Sequence, residues 1–223
     1  MRVARVVVGL VAGFAVLFNP TSGAKAEEAA AVAPAAAPPA AAADPHAHCR
    51  EMAAKAAMKR ATDSSVDYKL PDVRLVRDDG KSVTLAEELS DGRPVVLNFI
   101  YTTCNTICPV MSQTFAQLQR KLGDEAGKVH MVSISIDPEY DTPARLAEYS
   151  KRFGAGAQWH FYTGTAQDSV AAQRAFDAFR GDKMSHTPVT FLRPASGSRW
   201  VRVDGFATSD ELAAKVRELV ASR

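Results

Sequence analysis

The sequence predicts an α/β fold in which a central mixed sheet is flanked by helices. Two observations lead to this prediction. Short apolar runs rich in β-branched residues, such as residues 94–100 and 129–136, are typical of buried strands. Segments with apolar residues at helical spacing follow these runs, so strands and helices alternate before the chain finishes in a hairpin and a helix.

The predicted domain spans residues 68–223, and its first half contains two hairpin strands, two buried strands and two helices. Residues 70–77 and 81–85 form an N-terminal β-hairpin around the turn at residues 78–80. Residues 94–100 form the central strand, a helix runs from Pro109, and residues 129–136 form the next strand. Pro143 begins a helix that ends before Gly154, with Asp141 or Thr142 as its cap.

The second half of the domain contains a strand, a helix, a hairpin and a last helix. Residues 159–163 form the strand and residues 166–179 the helix, whose cap is Thr165 with Asp168 three residues on. Residues 189–193 and 199–203 flank a turn and form a hairpin. Thr208 and Glu211 have the spacing of a capping box for the last helix, which ends near Ala221.

The first 26 residues have the layout of a secretory signal peptide. A basic start is followed by an apolar run at residues 6–18 and by a small-residue site that predicts cleavage after Ala26. The alternative is an uncleaved membrane anchor, although a span needs about 20 apolar residues. Both alternatives place the domain in a bacterial periplasm, an oxidising compartment where an exposed thiol pair is redox-active, metal-bound or disulfide-bonded.

Residues 27–45 form an Ala/Pro-rich linker, and residues 46–67 are predicted to form a short helical segment. This segment begins with four potential soft-metal ligands, His46, His48, Cys49 and Met52. The alternative is a helix entry with incidental side chains and an unpaired thiol. The formal net charge is only +2 and no basic block contains interleaved aromatic residues, which argues against nucleic acid as a partner.

Cys104 and Cys108 stand where the predicted central strand passes into a helix. If the first helical turn includes Cys104, the spacing of four places both sulfurs on one helix face. The positive end of the helix dipole and its free N–H groups would favour thiolate over thiol. A cysteine pair at the end of a central strand and the start of a helix is the thioredoxin-like arrangement.

Two sulfur ligands and a third donor would form a trigonal site suited to Cu(I). The candidate third donor is His186, because it lies in the loop before the strand that begins at Val189, and in a thioredoxin-like fold this loop packs against the cysteine turn. We expect His130 and His160 to be packing or surface residues.

These motifs together resemble the Sco/SenC family of copper proteins. They are Cys104 to Cys108 with Pro109, the sequence SIDPE at residues 135–139 with DTP at 141–143, and a late histidine before a strand. The resemblance covers residues 70–220 and implies a thioredoxin-like fold and copper delivery to the binuclear copper site of a cytochrome c oxidase subunit. It implies Cys104, Cys108 and His186 as the ligands. It also matches Asp137 to an acidic residue near the site; the alternative role of Asp137 is the turn that starts a helix.

Two functions remain open at this point. The first is a periplasmic metallochaperone that holds copper as Cu(I), with Cu(II) as a second state, and whose partners are an oxidase subunit or another copper chaperone. Membrane contact follows only if the N-terminal segment is uncleaved. The second is a thiol-disulfide oxidoreductase, with Cys104 as nucleophile and Cys108 as resolving thiol. Pro188 favours it, because thioredoxins and peroxiredoxins carry a cis-proline there. Metal loading requires reduced thiols, so the two functions are compatible.

Overall fold

The computed structural model of the chain describes residues 61–197 and 199–221. Within these residues, one mixed sheet has helices on both faces. Its strands are β1 (Thr62–Asp67), β2 (Arg74–Arg77), β3 (Ser82–Thr84), β4 (Val95–Ile100), β5 (His130–Ser135), β6 (Trp159–Gly164), β7 (Val189–Arg193) and β8 (Arg199–Asp204). The helices are α1 (Leu85–Glu88), α2 (Ile107–Leu122), α3 (Pro143–Phe153), α4 (Ala166–Ala175) and α5 (Ser209–Ala221), with 3-10 turns at Gly123–Lys128 and Lys183–Ser185.

The order of the strands across the sheet places two loops at one edge. This order is β1-β8-β7-β4-β5-β6-β2-β3, in which β4, β5 and β6 are parallel and the other pairs are antiparallel. Parallel β4 and β5 end together, with Ile100 beside Ser135. Because β7 runs antiparallel to β4, with Thr190 beside Asn98, it begins where β4 ends. The loop after β4 and the loop before β7 therefore lie at the same edge of the sheet.

Strand β4 is buried along its whole length because helices cover both faces of the sheet. Val96 and Ile100 belong to the core formed with α2, α3 and α5, whereas Val95, Leu97 and Phe99 belong to the core formed with α1 and α4. Successive side chains of a strand point to opposite faces, so a strand covered on both sides has a nearly continuous apolar sequence. This pattern confirms the predicted central strand.

Residues 62–67 form β1, although the sequence analysis placed them in a short helical segment. β1 pairs antiparallel with β8, from Thr62 beside Asp204 to Asp67 beside Arg199. Without β1, the outer edge of β8 would present a row of unpaired N–H and C=O groups, and pairing with them outweighs a local helical preference. The remainder of the predicted segment, residues 46–60, lies outside the described residues.

Helix α4 ends at Ala175 instead of the predicted Phe179. Phe176 is fully buried, and its N–H donates to the carbonyl of Ala172 at the last turn. Asp177 then adopts a φ of 48°, the left-handed conformation that Asp tolerates better than most residues. The helix therefore stops where burial of the Phe176 ring turns the chain, and residues 178–182 lead as a loop towards the 3-10 turn Lys183–Ser185.

The predicted helix starts of α3 and α5 are confirmed. α3 begins at Pro143, and its cap is Thr142, whose hydroxyl accepts the N–H of Arg145 at 3.3 Å. At the start of α5, the Thr208 N–H donates to the Glu211 carboxylate at 2.7 Å and the Glu211 N–H donates to the Thr208 hydroxyl at 3.2 Å. This reciprocal pair is a capping box.

No helix in the described part of the chain has both the length and the apolar character required to cross a membrane. The predicted signal peptide or anchor and the predicted linker, residues 1–45, lie outside the described residues.

Candidate functional site

The cysteine pair lies in the connection between β4 and α2. β4 ends at Ile100 and α2 begins at Ile107, so Cys104 precedes the helix and Cys108 occupies its first turn. The helix cannot include Cys104 because Thr106 has φ −120° and ψ −81°, outside the helical region. The condition for placing both sulfurs on one helix face is therefore not met, and a hydrogen bond connects the two residues instead.

Backbone N–H groups hold both sulfur atoms. The N–H of Cys108 donates to Cys104 Sγ at 3.4 Å, and the N–H of Tyr101 donates to Cys108 Sγ at 3.4 Å. The Thr106 hydroxyl lies 3.7 Å from Cys104 Sγ. Cys104 is 8% exposed and Cys108 is fully buried, and both are free thiols. The pair thus has an outer sulfur, Cys104, and an inner sulfur, Cys108.

The two thiols have opposite pKa shifts. Burial opposes ionisation of Cys104, but hydrogen bonds from the backbone of Cys108 and Thr106 outweigh it and lower the pKa from 9.0 to about 7. Burial raises the pKa of Cys108 far above its usual range, and the neighbouring Cys104 adds to this effect. Near neutral pH, Cys104 is therefore substantially a thiolate while Cys108 retains its proton.

Asp141, whose expected structural role was that of a helix cap, holds the start of the cysteine loop, the connection at residues 101–106 between β4 and α2. Its fully buried carboxylate accepts hydrogen bonds from the Thr102 N–H at 3.1 Å, the Thr102 hydroxyl at 2.5 Å and the Ser135 hydroxyl at 2.6 Å. Burial raises the pKa of Asp141. An Asp before a Thr-Pro helix start has the same sequence pattern whether it caps the helix or points inward, so the sequence could not reveal this contact.

Asp137 and Lys183 connect the segment between α4 and β7, residues 176–188, to the end of β5; this segment contains His186 and is called the histidine loop. Lys183 Nζ lies 2.6 Å from Asp137 Oδ2, and this hydrogen bond raises the pKa of Lys183. The Asp137 carbonyl also accepts the N–H of Asp141 at 2.8 Å, so Asp137 takes part in the turn before α3, as one of its two predicted roles requires. Nothing in the sequence indicated that Lys183 would be the partner.

His186 lies at the same edge of the sheet as the cysteine loop, and it is 6% exposed. Burial lowers the pKa of its ring, while a hydrogen bond with the Phe99 backbone, at the end of β4, acts in the opposite direction. In the described part of the chain, no three His, Cys, Asp or Glu side chains are placed to hold one metal ion. His186 therefore remains a predicted ligand.

Pro188, two residues after His186, accepts the Gly205 N–H through its carbonyl at 2.9 Å.

The other histidines are distant from this arrangement or outside the described residues. His130, at the start of β5, is buried beside Tyr162 at 3.2 Å, and His160 lies 3.5 Å from Asp78. Both are packing residues at the opposite end of the parallel strands. The soft-ligand tract of His46, His48, Cys49 and Met52 lies outside the described residues.

The chain matches the model of one known protein family over most of its length. The SCO1/SenC family model matches residues 62–221, which include all of the strands and helices given above. The chain belongs to the SCO1/SenC family. This SCO1/SenC protein is 34% identical over 106 residues to a SCO1 protein homolog of Bacillus subtilis, a match that covers 47% of this chain and 54% of the relative. It is 27% identical to Protein SenC of Rhodobacter capsulatus, with 61% of this chain and 60% of the relative covered. The matches thus span somewhat more than half the length of these curated relatives.

Solved structures of family members share the fold of this SCO1/SenC protein. Arabidopsis thaliana ScoI with copper bound has a TM-score of 0.58 and 28% identity, over 68% of this chain and 97% of that chain. Bradyrhizobium japonicum ScoI with copper bound has a TM-score of 0.55 and 26% identity, over 66% and 96%. The fold of this SCO1/SenC protein is therefore the thioredoxin-like fold that the cysteine pair predicted.

Proposed function

We propose that this SCO1/SenC protein is a periplasmic metallochaperone that binds copper, held as Cu(I), through Cys104, Cys108 and His186. It delivers this copper to the copper site of a cytochrome c oxidase subunit, or exchanges it with another copper chaperone. The observation that carries the proposal is the pair of free sulfurs held by backbone N–H groups at the start of α2. The copper-bound ScoI relatives support the choice of metal.

The donor set suits Cu(I). Thiolates are soft ligands that favour Cu(I), and an imidazole completes a three-coordinate set. With a pKa of about 7, Cys104 is about half ionised near neutral pH, so copper binding mainly has to displace the proton of Cys108. The partly accessible outer sulfur can also form a bond with an incoming or departing copper complex. Copper then moves between partners by ligand exchange, without a change in its oxidation state.

His186 supplies the third bond after a local movement. Its ring has a hydrogen bond with the Phe99 backbone, and metal-binding histidines commonly use one ring nitrogen in this way while the other binds the metal. Burial lowers the pKa of the ring and so favours the neutral form, which is the form that binds metals. Loading brings the histidine loop towards the sulfurs, because in the described arrangement no three such side chains are yet placed around one ion.

Anaerobic Cu(I) titration with X-ray absorption tests this proposal. The protein is the full chain with its N-terminal donors substituted, as His46→Ala, His48→Ala, Cys49→Ser and Met52→Leu. We expect one copper per chain with two sulfur ligands and one nitrogen ligand. His186→Ala should remove the nitrogen and weaken binding by about tenfold or more, whereas the control His160→Ala should change neither. Retention of the nitrogen in His186→Ala would exclude His186 as a ligand.

A second candidate function is reduction of a partner's disulfide, and the opposite pKa shifts of the two thiols favour it. The Cys104 thiolate attacks one sulfur of the partner's disulfide, forms a mixed disulfide and releases the first partner thiolate. Cys108 then loses its proton and attacks Cys104 Sγ, which releases the second partner thiolate. The partner gains two electrons, and the Cys104–Cys108 pair becomes a disulfide.

Trapping distinguishes the two cysteines in this reaction. With a disulfide-containing peptide as probe, Cys108→Ser in a Cys49→Ser background should accumulate a mixed disulfide through Cys104. Cys104→Ser should accumulate almost none, because Cys108 is buried and protonated. Equal trapping by the two variants would contradict the assignment of Cys104 as nucleophile, and it would leave the copper proposal unaffected.

A further inference from the structure

Met184 is an apolar residue in an exposed position next to the candidate site. It lies in the 3-10 turn Lys183–Ser185 of the histidine loop, two residues before His186, and it is 74% exposed. Large apolar side chains with this exposure are few in the described residues, where the only others are Val110 at 40% and Tyr140 at 45%. A Met side chain on the surface gains nothing from burial, so packing does not account for its place here.

The sulfur of Met184 points towards the cysteine loop. Met184 Sδ lies 3.7 Å from the hydroxyl of Tyr101. Cys104 is close enough to influence this phenol: burial first, and then interaction with the Cys104 side chain, raise the pKa of Tyr101 to about 12, so the phenol remains protonated. The Tyr101 phenol therefore contacts the thioether of Met184 and lies near the outer sulfur of the cysteine pair.

We propose that Met184 is a Cu(I) ligand, which completes a three-sulfur site with Cys104 and Cys108 while His186 is not bound to the metal. This inference rests on the proposed copper function and adds a donor to it. A thioether is a soft ligand that favours Cu(I), and the unbranched Met side chain has enough rotatable bonds to move its sulfur past the Tyr101 hydroxyl.

Its exposure gives Met184 a distinct place in the transfer. Cys108 is fully buried, and Cys104 and His186 are 8% and 6% exposed, whereas Met184 is 74% exposed, so an incoming copper complex meets Met184 first and Cys104 next to it. In this step a Met184–copper bond and a Cys104–copper bond form as the donor's bonds break, copper remains Cu(I), and Cys104 loses any remaining proton to solvent. His186 then replaces Met184 as the histidine loop closes. Release to an acceptor follows the same steps in reverse.

The number of sulfur ligands tests this proposal directly. The protein is the full chain with the four N-terminal donors substituted as above, loaded anaerobically with Cu(I) and measured by X-ray absorption. We expect three sulfurs around copper in His186→Ala and two in His186→Ala/Met184→Leu. Leucine retains the apolar volume of methionine and removes only the sulfur. The matched control His186→Ala/Met131→Leu changes a methionine that is fully buried in β5, and it should retain three sulfurs.

A second measurement separates a ligand from a merely structural residue. In the chain with His186 intact, Met184→Leu should slow Cu(I) uptake from a chromophoric Cu(I) chelator by about tenfold. Its Zn(II) affinity should not change, since zinc sites in proteins use thiolate, imidazole and carboxylate donors. A structural defect would affect both metals.

The outcomes keep the two proposals apart. If wild type binds Cu(I) through two sulfurs and one nitrogen while His186→Ala shows only two sulfurs, the Met184 assignment is wrong and the copper function stands. Equal uptake rates for Met184→Leu and the Met131→Leu control would also overturn it. If wild type binds no Cu(I), the proposed function itself fails.

Discussion

Lys183 Nζ and Asp137 Oδ2 lie 2.6 Å apart, and this ion pair joins the loop that carries Met184 and His186 to the end of β5. Asp137 is 9% exposed, so its carboxylate is held by the fold, whereas the Lys183 side chain is 42% exposed. The end of the ion pair next to β5 is thus buried, and the end in the histidine loop is exposed to solvent. We therefore expect this contact to restrain the histidine loop.

The first prediction concerns this ion pair. Lys183→Gln should change the melting temperature only slightly, because the Lys183 side of the ion pair is exposed and glutamine can still donate a hydrogen bond to Asp137. It should accelerate amide hydrogen exchange at Ser185 and His186, whose N–H groups donate to the carbonyls of Asp182 and Lys183. Lys121→Gln is the control, since it removes an ion pair with Asp210 on the helical face. Unchanged exchange in Lys183→Gln would show that the pair does not restrain the loop.

The second prediction concerns thiol reactivity. In a Cys49→Ser background, iodoacetamide should label Cys104 with a pH midpoint of about 7 and should label Cys108 far more slowly. Mass spectrometry of labelled peptides across a pH series measures both rates. A Cys104 midpoint at or above its ordinary 9.0 would contradict the role of the backbone N–H groups.

The same shift predicts a pH dependence of stability. The folded pKa of Cys104, about 7, is below its ordinary value of 9.0, so the thiolate is favoured in the folded state. This contribution is fully present above pH 9.0 and is lost as the pH falls through 7. Urea denaturation measures the free energy of unfolding of the unmodified chain and of Cys104→Ser. The difference between the two, unmodified chain minus variant, should rise from pH 7 to pH 9.0. A flat difference over this window would contradict it.

The third prediction concerns Asp141. Asp141→Ala leaves the Thr102 N–H and the Ser135 hydroxyl without their acceptor in a buried place, which should cost about 1–3 kcal/mol for each unsatisfied group. It should also release the start of the cysteine loop and change the labelling rate of Cys104. Asp210→Ala removes an exposed carboxylate and should do neither. Urea denaturation and the labelling assay measure the two effects.

The fourth prediction concerns His130. Burial lowers the pKa of its ring, so the folded state keeps the ring neutral while the unfolded chain binds a proton below pH 6.5. Stability should therefore fall as the pH drops below 6.5, and it should fall less in His130→Asn than in the control His160→Asn. Urea denaturation across pH 5–8 measures this. The charged and titratable groups that face the ring are Glu88, Asp91, Arg93, His160 and Tyr162.

Local patterns were sufficient for most of the fold. The apolar run of β4 and the capping residues Thr142 and Thr208 depend on neighbours within a few residues, so their roles can be inferred from spacing alone. Where the outcome depended on a distant partner, the prediction was wrong or incomplete. β1 is a strand because β8 offers an edge, and α4 stops early because Phe176 is buried in the core.

The sequence by itself determined the α/β fold, the junction that carries Cys104 and Cys108, and the resemblance to the Sco/SenC family, because each depends on residue types at short spacing. Tertiary structure decided how the pair works. Cys104 precedes α2 and accepts a hydrogen bond from Cys108, so one thiol ionises readily and the other does not. It also decided that Asp141, Lys183 and Met184 stand around the pair, since their partners lie tens of residues away and only the folding of β4, β5 and β7 to one edge brings them together.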